Sequence, residues 1–420
     1  MHYKCIIARQ EVAMSTKYIE RSLEPVLKKA TREFPAVVLT GPRQSGKTTI
    51  LKHLFGGKYR YVSLEPPDVR AAAAEDPRGF LEMNAPPVIF DEVQYAPDLL
   101  SYVKERIDAD RNRPGQYLLT GSQNLLLMGK VSETLAGRTA VLRLLPLSHR
   151  EMDRQPHVPL PWEPRHHKVS DRKVTQRELW RGFLRGGYPE LAANPGRDAN
   201  LWHAGYVQTY LERDVRTIRQ VGDLSQFQSF LRALAARSAQ LLNMTDLARD
   251  LGVAVNTVKA WLSVLEATYQ VIVLRPYFAN IGKRLVKAPK VYFMDVGMLC
   301  YLTGLKDAEH AASGPMAGPI METAVLSEIV KAITHRGIDP QVYFWRTSTG
   351  TEVDILIETA GKLVPVEVNL SATPRPEMAS SIKAFQGYFG DRVLPGFLVH
   401  PGEIQLPLGL NIRSWPYAQL

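Results

Sequence analysis

Gly41-Pro42-Arg43-Gln44-Ser45-Gly46-Lys47-Thr48-Thr49 carries the spacing G-x-x-x-x-G-K-[ST] at every fixed position. Residues of this type and order make an anion cradle. The two glycines let the backbone wrap a phosphate with successive N–H groups turned toward its oxygens. Lys47 is placed to reach the β- and γ-phosphates, and the Thr48 hydroxyl to complete a Mg²⁺ shell. The implied ligand is a nucleoside triphosphate with magnesium. ATP is favoured over GTP, because the chain has no guanine-reading N-K-x-D run.

Such a loop needs a metal-holding carboxylate on a neighbouring strand. Val88-Ile89-Phe90-Asp91-Glu92 supplies one, with three apolar residues running into two acids. Asp91 is expected to hold Mg²⁺. Glu92 points elsewhere and can polarise an attacking water. Tyr117-Leu118-Leu119-Thr120 then ends in Gly121-Ser122-Gln123, where Ser122 can contact the γ-phosphate or the water.

These groups have to be held by a scaffold, and strand-like runs alternate with helical ones to about residue 150. Ala36–Thr40, Tyr59–Leu64, Pro87–Phe90, Gln116–Thr120 and Ala140–Leu145 are the expected strands. The alternation predicts an α/β fold, a mostly parallel sheet with helices on both faces. Residues 1–17 read as poorly ordered, 18–150 as the nucleotide-binding domain, and 151–175, rich in Pro, His and charge, as a linker or insertion. From 176 to 312 the pattern is helical, with strand-like patches at Val271–Tyr277 and Lys290–Met294. From 313 to 420 a small α/β domain is expected, with a helix near Ile320–Thr334 and strands at Val342–Trp345, Glu352–Glu358 and Leu363–Val368.

At 420 residues several domains are needed. A net charge of +10 allows a polyanionic partner, whether nucleotide or nucleic acid. Two cysteines far apart form neither a disulfide framework nor a metal motif, so a reducing cytoplasm is the simplest compartment. No apolar stretch approaches the roughly 20 residues that a membrane span requires.

Taken with Phe90-Asp91-Glu92-Val93-Gln94, Leu119-Thr120-Gly121-Ser122 and Leu135-Ala136-Gly137-Arg138, the loop resembles the prokaryotic AAA-type P-loop ATPases. More narrowly, nearly the whole chain from Tyr18 is similar to a group pairing this ATPase with a C-terminal domain of unknown function. The resemblance implies that Lys47 and Thr48 bind phosphate and Mg²⁺, Asp91 holds the metal, Glu92 is the base and Ser122 a sensor. It also implies an arginine that completes the site, with Arg138 the first candidate and Arg213 the second. AAA-type relatives often form rings, so self-association is among the expectations.

Two later stretches carry resemblances of their own. Met244–Val253 and Ala254–Leu262, with Gly252 at the turn, resemble a winged helix-turn-helix, with Lys259 as a phosphate contact and Lys283-Arg284 in a loop. Glu322, Asp354 and Glu367 are spaced as in the restriction-endonuclease type of nuclease core, where acids gather Mg²⁺ to activate water. Asn369 stands where that core needs a lysine, and an amide neither carries charge nor assists deprotonation. The implied function is ATP hydrolysis that changes conformation on a protein or nucleic-acid partner. A slow nucleotide-dependent switch, in defence or toxin-linked systems, and an ATP-regulated nuclease are the alternatives.

Overall fold

The computed structural model describes residues 18–121, 131, 133–163, 174–211, 224–277 and 288–420. The stretch 1–17, Ser122, Arg213 and Lys283-Arg284 lie outside the described residues.

Five strands, β1 (Ala36–Thr40), β2 (Arg60–Ser63), β3 (Val88–Asp91), β4 (Tyr117–Thr120) and β5 (Thr139–Arg143), form one sheet. Their order is β2-β3-β4-β1-β5 and every pairing is parallel. The central strand β1 is buried at all of its positions, because a parallel strand covered on both faces has no side exposed to water. Side chains alternate between faces. Val37 and Leu39 join Ile89 and Leu118 in one core, which α1 (Glu24–Glu33) and α2 (Lys47–Phe55) cover. Ala36 and Val38 join Phe90 and Tyr117 in the other, covered by α3 (Leu99–Ala109) through Leu99, Val103 and Ile107. That fourfold spacing puts one apolar stripe of α3 on the sheet. All five carboxyl ends point one way, so the loop after β1 and the acids after β3 share an edge.

The rest of the chain builds on a larger sheet. Its helices include α4 (Pro189–Ala193), α5 (Met244–Leu251), α6 (Val255–Ala267), α7 (Ala317–Thr334) and α8 (Ser380–Phe389). The strands are β6 (Val271–Pro276), β7 (Lys290–Phe293), β8 (Val342–Arg346), β9 (Glu352–Thr359), β10 (Lys362–Val368), β11 (Gly396–His400), β12 (Pro407–Gly409) and β13 (Ile412–Pro416). Their order is β12-β13-β11-β10-β9-β8-β6-β7. The boundary expected near residue 313 falls between strands of this one sheet. β6 pairs with β8 across it, and one apolar core runs from Leu145 through Tyr292 to Trp415. The sequence hides this, since strand pairing over such a separation leaves no local signal. α7 is apolar nearly all round and correspondingly buried. Among the described residues, no helix is long and apolar enough to cross a membrane.

Candidate functional site

Gly41 leaves β1 with φ +146°, and a Cβ there would stand 2.1 Å from the Leu144 carbonyl oxygen. Gly46, with φ +94°, caps α2 without any side-chain cap of its own. Both positions therefore require glycine. Lys47 is buried, and its Nζ donates to the carbonyls of Gly41 (3.1 Å) and Pro42 (2.9 Å). Ser45 Oγ is buried and has no hydrogen-bond partner among the described residues. A buried ammonium folded over its own loop, an orphaned hydroxyl and a helix start without a cap fit a phosphate group.

Asp91, at the end of β3, faces this loop. Its Oδ2 accepts from Thr48 Oγ1 at 2.8 Å and from Tyr61 Oη at 2.7 Å, and its Oδ1 accepts from the Thr120 hydroxyl. Thr120 Oγ1 in turn accepts the Glu92 backbone N–H at 3.2 Å, so one buried hydroxyl joins the two acids. Glu92 sits in the left-handed region at φ 59°, which turns its side chain away from that of Asp91. The Gln94 side-chain amide donates to the Glu92 carboxylate. Thus Thr48, Asp91 and Glu92 come together as the sequence predicts. Tyr61 and Thr120 were missed. Their signal was period-2 placement: Ser63 lies opposite Asp91, and Tyr61, two residues earlier, shares that face.

A cavity of about 530 Å³ opens beside the loop, within the usual size of a small-molecule site. Gln44 and Gly46–Ile50 line one side together with Glu92. Tyr18, Ile19 and Arg21 form another wall, and Pro189, Glu190, Ala193 and Asn194 a third. A ligand there touches the sheet domain and the helical region at once. Nothing in the spacing of residues 189–194 announces this.

Arg138 does not reach the loop of its own chain. It precedes β5, level with Ala36 at the opposite edge of the sheet, and makes a two-point ion pair with Asp108 at 2.6 and 3.0 Å. Its place beside Leu-Ala-Gly suggested otherwise, but a parallel strand carries its first and last residues to opposite edges.

A buried ionic joint ties the loop to α7. Arg21 donates to the carbonyls of Ser45 (3.0 Å) and Leu145 (2.7 Å), and its Nε lies 3.1 Å from Glu151. Glu151 Oε1 also lies 3.2 Å from His335 Nδ1, just past the end of α7. The Leu145 N–H donates to His335 Nε2 at 3.1 Å, which leaves the ring proton on Nδ1 facing the carboxylate.

Glu322, Asp354 and Glu367 also come together. Burial, then the Glu322 charge, pushes Asp354 up to about 7. Burial, then Asp354, raises Glu367 well above the carboxylate range. Glu322 is raised too, chiefly by burial. The cation among them is Lys290 of β7, 3.0 Å from Glu322 and 2.5 Å from Glu352. Asn369 lies apart from that role, its Oδ1 accepting the Ser371 N–H at 2.9 Å. Among the described residues, no three acids or His/Cys groups are gathered as a metal site. α5 and α6 meet at Gly252 in the left-handed conformation, followed by antiparallel β6 and β7. Asn256, Lys259, Ser263 and Glu266 are exposed on α6, so its outer face offers one cation and one acid.

Residues 33–153 match the family model described as an AAA domain. Residues 176–309 and 317–420 match two domains of unknown function, DUF8612 and DUF4143. The uncharacterized protein Rv2008c of Mycobacterium tuberculosis is 32% identical over 400 residues, covering 94% of this chain and 82% of the relative. The uncharacterized protein Mb2031c of Mycobacterium bovis shows the same identity and coverage. This chain belongs to their family. Its member here opens with an AAA-type P-loop ATPase domain. Among solved structures, the Walker-type ATPase PABY2304 of Pyrococcus abyssi overlaps with a TM-score of 0.44 at 16% identity, over 68% of this chain and 96% of that one. The RuvB Holliday junction branch migration motor of Thermotoga maritima overlaps at 0.27 and 16%, over 60% and 88%. Both overlaps are too loose to argue from.

Proposed function

We propose that this family member binds ATP with Mg²⁺ and hydrolyses it in the cytoplasm, coupling turnover to conformational change on a protein or nucleic-acid partner. The observation that carries the proposal is the shared edge at which Lys47, Thr48, Asp91 and Glu92 meet beside a cavity walled by a second region. Residues Gly41–Thr49 cradle the phosphates, with Lys47 exchanging its two loop carbonyls for phosphate oxygens. Thr48 and Asp91 would hold Mg²⁺, which when bound neutralises charge on the β- and γ-phosphates. Glu92 orients the attacking water and takes its proton on the carboxylate. Gln94 and Thr120 hold that acid in place meanwhile. Coupling follows from the cavity walls: Tyr18–Ile19 and Pro189–Asn194 close on a nucleotide that the loop already grips.

Two variants test the assignment by binding of a fluorescent ATP analogue and by phosphate release. Lys47→Ala should lose binding by at least about tenfold. Glu92→Gln should bind as wild type while turnover falls by roughly 10²-fold or more. Full turnover in Glu92→Gln removes the base from the proposal. Unchanged affinity in Lys47→Ala removes the site.

A slow nucleotide-dependent switch is the second reading, favoured by the Gln94 amide already engaging the Glu92 carboxylate. Turnover measured with single-stranded DNA, duplex DNA and RNA separates the two. Stimulation by one of them supports a motor; slow, unstimulated turnover supports the switch. The C-terminal acid cluster, balanced by Lys290 and with Asn369 turned to a loop, is read as structural rather than nucleolytic.

A further inference from the structure

We propose that Tyr61 is a positioning residue for the magnesium-holding carboxylate of Asp91, and that its hydroxyl sets the affinity for the metal. The proposal rests on the ATP·Mg²⁺ reading above.

Asp91 is 5% exposed, and a carboxylate so buried needs donors. A carboxylate offers about four lone-pair sites. Among the described residues, three donors approach it, all hydroxyls: Thr48, Tyr61 and Thr120. Thr48 belongs to the loop pattern and is itself a metal ligand there. Tyr61 and Thr120 are on flanking strands and serve only to hold. The two brace opposite oxygens, Tyr61 from β2 and Thr120 from β4, so rotating the carboxylate about its Cβ–Cγ bond would break both bonds.

The chemistry of these donors matters as much as their number. A hydroxyl stabilises a buried carboxylate without cancelling its charge, so the full negative charge stays available to a cation. A lysine or arginine in the same place would make an ion pair that a metal must break. A lysine does rest on the tyrosine ring. Lys52, on α2, places its Nζ 3.6 Å from the centroid of the Tyr61 ring. The tyrosine thus holds Lys52 on its face while its hydroxyl reaches Asp91.

Removing partners that orient a metal ligand typically weakens the metal by about 10–100-fold. Tyr61→Phe deletes the hydroxyl and keeps the ring over which Lys52 rests. The measurement is Mn²⁺ binding by electron paramagnetic resonance on the full chain with a non-hydrolysable ATP analogue, alongside analogue affinity in EDTA. Tyr61→Phe should raise the Mn²⁺ dissociation constant about tenfold and leave the EDTA affinity unchanged. Tyr59→Phe, whose hydroxyl bonds the Gly115 carbonyl instead, is the control and should leave both unchanged. Should Tyr61→Phe fail to fold, Lys52→Met frees the ring and should shift Mn²⁺ affinity in the same direction by a smaller factor. Mn²⁺ affinity within twofold of wild type in the variant overturns the proposal. Equal losses of metal and EDTA affinity overturn it as well, since Tyr61 would then be supporting the loop as a whole. A wild type that binds the analogue without any Mn²⁺ effect defeats the proposal while sparing nucleotide binding. A wild type that binds no analogue defeats the ATP reading along with it.

Discussion

Replacing Glu151 with glutamine probes the joint that links the phosphate loop to the rest of the molecule. Glu151 is fully buried and accepts the Ser22 N–H at 2.7 Å and the Ser148 N–H at 2.9 Å, besides facing Arg21 and His335. Burial alone would raise this carboxyl. The Arg21 charge and then His335 outweigh that, and hold it far below the ordinary carboxylate range. Glutamine keeps the volume and one acceptor but leaves the Arg21 guanidinium, 3% exposed, without a counter-charge. Removing one partner of a buried pair costs about 3–5 kcal/mol. An unfolding entropy of about 2.1 cal/mol/K per residue turns that into a melting temperature lower by roughly 3–6 °C, for a chain that melts in one step. Urea unfolding at a series of pH values is the assay. The folded carboxyl titrates below its unfolded value of about 4.3, so the stabilisation is complete above that pH and is lost as pH falls. The gap between wild type and variant should therefore be widest at pH 7 and narrow steadily from about pH 5 downward. A gap under about 1 kcal/mol at pH 7 would mean that the pair is solvated like a surface one. A gap that ignores pH would refute the ionic account altogether.

Gly41→Ala places a methyl group against the Leu144 carbonyl oxygen at 2.1 Å in a backbone conformation that disfavours it. Strain of about 1–3 kcal/mol is expected, read as a lower urea midpoint together with weakened nucleotide binding. Unaltered binding would show that the loop tolerates displacement. For Asp354→Asn the effect depends on pH. The folded carboxyl titrates at about 7, above its unfolded value, so its contribution is full at low pH and is lost as pH rises through that window. Asparagine lacks this slope. The variant should gain stability relative to wild type between about pH 4 and pH 8, and parallel stability curves would contradict the buried cluster.

The order of chemistry along the chain was legible without coordinates. A phosphate loop imposes glycines, a lysine and a hydroxyl at fixed spacing, because a continuous backbone wraps the anion. An apolar run ending in Asp-Glu marks a strand leaving the core at its edge. These are local constraints, so Gly41–Thr49, Asp91, Glu92 and the parallel sheet could all be read from the residues. Tyr61, Thr120, the wall at Pro189–Asn194, the Arg21–Glu151–His335 joint and Lys290 could not. Each depends on which strands become neighbours or which helix crosses which loop. Arg138 makes the same point in reverse, since its motif gives no sign that it stands at the sheet edge away from its own chain's loop, paired with Asp108. The sequence by itself determined the loop pattern, the acids at the end of β3 and the layer that presents them. The tertiary structure alone decided which neutral hydroxyls brace Asp91 and how the loop is joined to α7, because contacts between distant segments obey packing and charge rather than spacing.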